Sequence, residues 1–303
     1  MSQKQSVYDV IIIGGSYAGL SAAMALGRSM RQVLVIDSGK PCNRFTPHSH
    51  NFLTQDGEAP ADISAKALEQ VKQYDTVSFY HGLATSAQQE SNGFNVETDL
   101  GVKFFGKRLI LSEGIKDLLP DMPGFEECWG KSVIHCPYCH GYEFRGEKTG
   151  IWAGIDHAYH LAMLVKNLTT ELSVFVQGEG KFGEDQMGKL RKHGIQVITS
   201  ELESISHSGG QITAVETTDG ARVALDALYA SVPFTLSSDI PKTLGCSITE
   251  SGHIEVDSMQ KTNIPGVYAC GDCTTPMRSV AKAVAGGNFA GAVANMELTA
   301  AEF

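Results

Sequence analysis

A turn rich in small residues lies between an apolar run and an amphipathic segment near the start of the chain, and it constrains the fold strongly. Residues 8–13 form an almost unbroken apolar run, as in a parallel strand buried on both faces. The turn Gly14-Gly15-Ser16-Tyr17-Ala18-Gly19 follows, and apolar periodicity predicts a helix over residues 18–30. Residues 32–36 are predicted as a second strand, which Asp37 ends. The segment therefore predicts a β-α-β unit of about 30 residues.

The residues of this turn suit a phosphate-binding loop. Gly14 permits the tight turn, and Gly19 permits close packing of the helix on the strand. Ser16 stands where the G-x-G-x-x-G pattern has its middle glycine, and its small side chain still lets the backbone approach a pyrophosphate. Asp37 lies at the spacing where a carboxylate accepts hydrogen bonds from an adenosine ribose. The alternative is a glycine turn without a ligand.

A similar unit recurs in the middle of the chain. Residues 149–153 are predicted as a strand, 154–157 as a turn, 158–168 as a helix and 171–176 as the next strand. Two such units indicate an internal duplication with two nucleotide-type folds. A short β meander is predicted between about residues 196 and 230, a last strand over 263–269, and a final helix over 279–298.

Charge and composition exclude several classes of protein. The formal net charge of -10 and the lack of a basic run argue against a nucleic-acid partner. No apolar stretch reaches the length of a membrane span, and no signal peptide is recognised at the N-terminus, so a cytoplasmic protein is expected. The seven cysteines are an odd number in a chain that is not a small secreted scaffold, which argues against a structural disulfide framework.

The segment Cys136-Pro137-Tyr138-Cys139 is the strongest candidate for chemistry. In a cytosolic chain with β-α-β units, the C-x-x-C spacing is typical of a dithiol redox pair. His135 and His140 bracket the pair and place a proton donor or acceptor within reach. Two alternatives stay open: inert buried cysteines, or a zinc site shared with the second C-x-x-C pair, Cys270 and Cys273. A second redox pair at Cys270 and Cys273 is a further alternative to their packing as small apolar side chains.

Four landmarks together resemble the low-molecular-weight thioredoxin reductase family over almost the whole chain. They are I-I-I-G-G-S-Y-A-G-L at 11–20, L-S-E-G at 111–114, C-P-Y-C-H-G at 136–141 and N-I-P-G-V-Y-A-C-G-D at 263–272. The resemblance implies an α/β fold with two Rossmann-like nucleotide-binding domains of three-layer ββα type, the second inserted in the first. An FAD-binding domain is expected at 1–115 and 245–303, and an NAD(P)H-binding-like domain with the cysteine pair at 116–244.

The resemblance also implies where FAD binds and how the chain works. Asp272, preceded by Gly271, would bind the ribityl chain, and the helix starting near Ser279 would direct its N-terminus at the flavin. The FAD-binding residues implied by the family pattern are Gly14, Ser16, Ala18, Gly19, Asp37, Ser38, Asn51, Gly114, Gly271, Asp272, Ser279 and Val280. A homodimer is expected, in which the inserted domain rotates between a flavin-facing and a substrate-facing pose.

The C-P-Y-C-H-G sequence resembles a branch that includes dithiol oxidases of small metabolites and related reductases. Cys136 would then attack the substrate disulfide or form the mixed disulfide, and Cys139 would exchange electrons with the flavin. Typical thioredoxin reductases have an aspartate after the second cysteine, and His140 would take its proton-transfer role here. A satisfied structural histidine is the alternative for His140. The expected partner is a thioredoxin-like protein or a small-molecule dithiol or disulfide.

The second nucleotide turn departs from the family pattern G-G-G-x-x-A. Ala153 replaces the first glycine, and Ile155 stands where backbone must approach a pyrophosphate. Glu179 follows the next strand where the family has arginines for a 2′-phosphate. We therefore expect NADPH binding to be weak or lost. NADH, a ferredoxin or oxygen are the alternative redox partners, and a non-enzymatic flavin-binding redox sensor or partner-binding module is the alternative function.

Overall fold

The computed structural model describes residues 7–303 of the chain. The strands are β1 Val7–Ile13, β2 Val33–Asp37, β3 Val77–His81, β4 Ala84–Glu90, β5 Gly93–Thr98, β6 Lys103–Leu111, β7 Ile115–Asp117, β8 Val133–Ile134, β9 Thr149–Ala153, β10 Leu172–Val176, β11 Gln196–Ile198, β12 Leu202–Ser208, β13 Gln211–Thr217, β14 Arg222–Ala224, β15 Ala227–Ala230, β16 Phe234–Leu236 and β17 Val267–Ala269. The helices are α1 Tyr17–Arg28, α2 Pro60–Val71, α3 Phe125–Cys128, α4 Pro137–His140, α5 Ile155–Val165, α6 Glu184–Lys192, α7 Ile240–Thr243 and α8 Val280–Glu302.

The first sheet has the order β3-β2-β1-β6-β5-β4, and β17 pairs with the end of β6. Strands β1, β2, β3, β6 and β17 run parallel, whereas β4 and β5 form an antiparallel extension. The central strand β1 is apolar on both faces because each face is covered. Val10 and Ile12 pack with α1 and α8, and Ile11 and Ile13 pack in a second core on the opposite face.

The second sheet has the order β11-β10-β9-β15-β8, and its strands run parallel. A separate antiparallel sheet, β12-β13-β14, packs beside it through a core that contains Phe125, Trp152 and Phe175. The meander predicted over about 196–230 is therefore shorter than expected. Its first and last strands, β11 and β15, belong to the parallel sheet. Strand β15 is buried in that sheet's cores, and the partly buried Val197 and Ile198 of β11 pack against them.

Strands β7 and β16 form a two-stranded antiparallel ribbon, called the linker ribbon below. It connects the part of the chain that forms the first sheet with the part that forms the second. Ile115 pairs with Leu236, and Asp117 pairs with Phe234, so the chain leaves and returns at neighbouring positions. The architecture is the expected α/β fold with two Rossmann-like units. The boundaries at 115/116 and 244/245 stay predictions, and the ribbon lies beside both.

Helices α1 and α8 pack at main-chain contact distance. A Cβ atom on Gly287 would lie 2.0 Å from the carbonyl oxygen of Ala18, and one on Gly291 would lie 2.6 Å from that of Ala22. Only glycine permits so close an approach at these two positions. The contact holds the N-terminal ends of both helices at one edge of the first sheet.

Three predicted elements have different bounds in the structure. Helix α5 begins at Ile155 rather than Ala158 and ends at Val165, because a single residue, Gly154, connects it to β9. The strand predicted over 263–269 is confined to β17, because Pro265 lacks an N–H for a ladder and Gly266 has φ of +82°. Helix α8 continues beyond residue 298 to Glu302. Within residues 7–303, no helix has the length and apolar character required to cross a membrane.

Candidate active site

The first glycine turn connects β1 to α1 through Gly14, Gly15 and Ser16. Gly14 has φ of +99°, and a Cβ atom there would lie 2.4 Å from the carbonyl oxygen of Ser112. A Cβ atom on Gly19 would lie 1.8 Å from the carbonyl oxygen of Gly14. Both glycines are therefore required by the turn itself, as the sequence pattern predicts.

Asp37 closes the same turn from the end of β2. Its Oδ1 accepts a 3.0 Å hydrogen bond from the backbone N–H of Gly15, and its Oδ2 accepts one of 3.2 Å from that of Gly39. Ser38, beside it, is half-buried. The carboxylate is thus fixed at the carboxyl edge of the sheet, where a dinucleotide's ribose is bound in folds of this kind.

A cavity opens at this edge, where the N-terminal ends of α1 and α8 meet. Of the residues predicted to bind cofactor, seven line it: Ser16, Ala18, Gly114, Gly271, Asp272, Ser279 and Val280. Its wall also includes Cys139 and His140 from α4. The structure therefore brings the predicted flavin site and half of the predicted redox pair to one cavity.

Five predicted cofactor residues are placed outside that wall. Gly14, Gly19 and Asp37 shape the turn behind it, and Ser38 follows Asp37. Asn51 is exposed, and its backbone N–H donates to Asp56 at 2.7 Å, although the preceding residue, His50, lines the cavity. Their roles in binding stay predictions.

Asp272 lies within a small charged cluster in the cavity wall. Burial raises the pKa of its carboxyl, and the Arg278 guanidinium opposes that rise. The Cys42 thiol lies 3.6 Å from Asp272 Oδ2, and burial followed by this neighbouring carboxylate raises the pKa of Cys42 to about 12. Arg278 also donates to Asp117 Oδ1 at 2.8 Å.

These features fit an FAD. The N-terminus of α1 is not capped by its own Ser16 side chain, so backbone donors there are free for a pyrophosphate. The Asp37 carboxylate can accept hydrogen bonds from a ribose. The Asp272 carboxyl supplies a buried hydrogen-bond acceptor in the cavity wall. Ser279 caps α8 by accepting from Lys282 N at 3.2 Å, and that helix begins at the cavity. When bound, the flavin would supply a two-electron acceptor or donor.

The cysteine pair sits at the start of the short helix α4. Cys136 precedes it, Pro137 occupies its first position, and the backbone N–H of Cys139 donates to the carbonyl oxygen of Cys136 at 3.2 Å. The two Sγ atoms are 2.6 Å apart. The thiol of Cys139 donates to the sulfur of Cys136, which lowers the pKa of Cys136 and raises that of Cys139. These directions favour the thiolate form at Cys136 over the thiolate form at Cys139.

His140 and His135 both enter the site as neutral imidazoles. Burial, with a smaller effect of His50, lowers the pKa of His140 to about 4. Burial, followed by Arg278 and His140, lowers the pKa of His135 to about 3. A neutral imidazole both accepts and donates hydrogen bonds, and the proton-transfer role of His140 stays a prediction.

Several wall residues are not among those predicted from the sequence, and Glu113, Arg278 and Cys42 are three of them. Glu113 belongs to the L-S-E-G landmark beside Gly114, and Arg278 immediately precedes Ser279. Cys42 lies in the loop after Asp37. Glu113 and Arg278 could have been found from the sequence, because each lies next to a residue that was predicted to bind FAD. No local sequence pattern indicates that Cys42 approaches Asp272, which is 230 residues away.

The second nucleotide turn is built differently from the first. Ala153, which stands in the place of Gly14, ends β9 in a strand conformation, whereas Gly14 has φ of +99°. The side chain of Ile155 points to the loop after β10, where its Cδ1 would lie 2.9 Å from a Cβ atom on Gly180. An apolar side chain thus lies against the loop that would face an adenosine ribose.

The second C-x-x-C pair is part of the protein core. Cys270 and Cys273 are fully buried, and burial raises the pKa of Cys270 to about 12 and that of Cys273 well above its usual value. Within the part of the chain that the structure describes, no group of three or more His, Cys, Asp or Glu side chains could hold a metal ion. The four-thiolate zinc alternative therefore has no structural support, and the pair packs as the small apolar residues expected.

Two nucleotide-type folds and a thiol pair beside a dinucleotide cavity define an FAD-dependent oxidoreductase. The chain belongs to the pyridine nucleotide-disulphide oxidoreductase family, whose sequence profile matches residues 8–287. It is 30% identical to thioredoxin reductase sirT of Leptosphaeria maculans, with 100% of this chain and 98% of that protein covered. It is 31% identical to thioredoxin reductase tcpT of Claviceps purpurea, with 97% and 95% covered.

Solved structures agree with this assignment. An oxidoreductase from Agrobacterium tumefaciens superposes with a TM-score of 0.91 at 39% identity, covering 97% of this chain and 99% of that one. A putative thioredoxin reductase, TrxB, from Bacillus anthracis superposes with a TM-score of 0.92 at 29% identity, covering 98% and 100%. The protein is thus a thioredoxin-reductase-like flavoenzyme, which favours an enzyme over a non-enzymatic sensor.

Proposed function

We propose that the chain catalyses dithiol–disulfide exchange through FAD and the Cys136–Cys139 pair, with little or no use of NADPH. One observation carries the proposal: Cys139 shares a cavity wall with Gly271 and Asp272, the predicted flavin-binding dipeptide. Electrons can pass between a thiol and a flavin only when the two lie close together, and this wall supplies that proximity.

The division of roles follows from the two pKa directions. The Cys136 thiolate attacks a substrate disulfide, forming a mixed disulfide and releasing one substrate thiolate. Cys139 then attacks the sulfur of Cys136, which closes the protein disulfide and releases the second substrate thiolate. The Cys139 proton and one proton from solvent complete the product dithiol, and we assign the transfer of the solvent proton to His140. The reverse sequence oxidises a substrate dithiol.

The substrate is proposed to be a thioredoxin-like protein or a small-molecule dithiol or disulfide. Thioredoxin enters through the printed names of the relatives. The surroundings of the pair give such partners access, because Tyr138 and Tyr142 are 64% and 66% exposed. A homodimer is proposed from the family resemblance.

The proposed weakness toward NADPH is supported by the second turn. Ile155 lies against the Gly180 loop, Ala153 lacks the left-handed backbone of Gly14, and Glu179 would repel a 2′-phosphate. NADH, a ferredoxin or oxygen remains as the proposed exchange partner for the flavin's electrons.

Substitution of Cys139 by serine tests the dithiol proposal. The C139S variant should retain FAD but lose disulfide exchange, measured with a thioredoxin-like protein and with a small-molecule disulfide. The matched control is Cys128→Ala, which alters a buried cysteine outside the cavity wall and should keep activity. Full exchange activity in C139S would refute the proposal.

A second experiment tests the electron partner. NADPH, NADH and a reduced ferredoxin are added separately to the wild-type protein without oxygen, and bleaching of the flavin absorbance is followed. We expect NADPH to bleach the flavin slowly even in large excess. Fast bleaching by micromolar NADPH would contradict the assignment of the second turn, while leaving the dithiol chemistry untouched.

A further inference from the structure

Glu113 is a buried acid in the flavin cavity that the dithiol chemistry does not use. It follows β6 after one intervening residue, Ser112, and lines the cavity with Cys139 and Asp272. Its Oε2 accepts a 2.9 Å hydrogen bond from the hydroxyl of Ser238. Its Oε1 is buried and has no hydrogen-bond partner among residues 7–303. A buried carboxylate oxygen with no protein partner is costly, so this side chain gains from taking up a proton, which it can then donate to a ligand or to water.

The bond to Ser238 joins the two ends of the linker ribbon. Glu113 lies two residues before β7, and Ser238 lies two residues after β16. The carboxyl is thus fixed by one oxygen to the base of the ribbon, while the other oxygen is left for the cavity. If Glu113 only held the ribbon together, the hydrogen bond between Oε2 and Ser238 would be sufficient.

We propose that Glu113 takes up a proton from solvent when the flavin beside it is reduced and releases that proton when the flavin is reoxidised. Reduction of FAD by two electrons and one proton leaves a net negative charge on the isoalloxazine ring. That charge favours the neutral form of a nearby carboxyl, so an ionised Glu113 gains one proton. The proposal rests on the flavin site alone and does not depend on the dithiol chemistry.

The electrostatic surroundings place this proton exchange near neutral pH. Burial raises the pKa of Glu113 to about 7, the hydrogen bond from Ser238 lowers it, and the charge of Asp239 raises it. The other titratable or charged groups near the carboxyl or its immediate neighbours are Lys242, which pairs with Asp239, the buried thiols Cys246 and Cys273, and Asp272. Burial raises the pKa of those two thiols, so they stay protonated near neutrality. The hydrogen bond from Ser238 and the charge of Asp239 are the two effects that substitution can remove to shift the pKa of Glu113 itself.

Proton uptake during flavin reduction gives the direct test. The FAD-loaded protein is reduced with dithionite or light, without any dithiol, and a pH indicator counts protons bound in weak buffer between about pH 5 and 9. Wild type should bind up to one proton more than the flavin itself requires, over a window that begins near neutrality and extends upward. Equivalently, the flavin midpoint potential should fall more steeply with pH in that window.

Three variants separate proton exchange from structure. Glu113→Gln keeps the size and the Ser238 contact and should abolish the extra proton. Ser238→Ala removes a hydrogen bond that lowers the pKa, so the window should move to higher pH. Asp239→Asn removes a charge that raises the pKa, so the window should move to lower pH. The opposite shifts of two neighbouring variants cannot come from a structural tie.

Infrared difference spectra of wild-type protein give an independent readout that needs no variant. Reduced-minus-oxidised spectra should gain a carboxylic-acid C=O band at pH above neutrality, and E113Q should lack it. If E113Q fails to retain FAD, the proposal is tested by the pH shifts of the proton-uptake window in S238A and D239N. Unchanged proton uptake in E113Q, or windows that do not move in the two neighbours, would overturn the proposal.

Discussion

Arg278 donates a 2.8 Å hydrogen bond to Asp117 and so joins the residues before helix α8 to the first strand of the linker ribbon. The side chains are only 15% and 12% exposed. The same guanidinium acts on the redox pair, where its positive charge lowers the pKa of both thiols. Their mutual hydrogen bond has a larger effect, which lowers the pKa of Cys136 and raises that of Cys139. Arg278 thus connects the ribbon, the flavin cavity and the nucleophile.

Loss of Arg278 should make the redox pair less reactive at neutral pH. In Arg278→Gln the pKa of Cys136 rises, so alkylation of the reduced protein by iodoacetamide should be about 3- to 10-fold slower near neutrality and should recover at alkaline pH. The control is Arg145→Gln, which removes a cation stacked on Tyr142 instead. If R278Q and wild type have the same dependence of alkylation rate on pH, the Arg278 charge does not affect the pKa of Cys136.

Gly287 should tolerate no side chain, whereas the neighbouring Gly286 should tolerate alanine. A Cβ atom on Gly287 would lie 2.0 Å from the Ala18 carbonyl oxygen, so Gly287→Ala should lower the free energy of unfolding by about 1–3 kcal/mol or more and weaken FAD retention. A Cβ atom on Gly286 would meet only atoms 3.5 Å away or farther. Gly286→Ala should be neutral or stabilise by up to about 1 kcal/mol. Urea unfolding of both variants, with flavin content, measures the difference.

The second turn should regain affinity for a nicotinamide when its two departures are reversed. The double variant Ala153→Gly/Ile155→Gly restores a flexible turn and removes the side chain that lies against the Gly180 loop. We expect faster anaerobic bleaching of the flavin by NADH, together with a loss of about 1–3 kcal/mol of stability from the deleted Ile155 side chain. Adding Glu179→Arg should extend the gain to NADPH. Leu164→Ala in the same helix is the control, since it deletes a comparable side chain away from the turn.

Acid should destabilise the fold through its buried histidines. The pKa of His140 is lowered by burial from 6.5 to about 4, so the unfolded chain binds more protons between these values. Stability at pH above 6.5 is unaffected by this residue, and it falls as pH drops toward 4, by up to about 3 kcal/mol. His140→Gln should remove part of this slope in urea titrations. Exposed His193→Gln, at the end of α6, should leave the slope unchanged.

The sequence predicts the local units of this fold well and its long-range pairings poorly. The turn at Gly14, the acid at Asp37 and the start of α8 can be predicted because each depends on neighbouring residues with fixed spacing. The sequence predicts a turn of four residues after β9, whereas the structure has Gly154 alone there, because the apolar Ile155 joins the helix. Arg278 meets Asp117 across 161 residues and Ser238 meets Glu113 across 125, and no local pattern encodes either pair.

The antiparallel pairing of β7 with β16 has a consequence for how such a protein can change over evolution. Ile115 pairs with Leu236 and Asp117 pairs with Phe234. The segment between the two strands, residues 118–233, therefore begins and ends at neighbouring positions. A module with adjoining ends can be exchanged, trimmed or adapted to a new electron source while its host keeps folding around the same cofactor. The second turn is compatible with this freedom, because it departs from the family pattern at Ala153 and Ile155 while the first turn keeps its glycines.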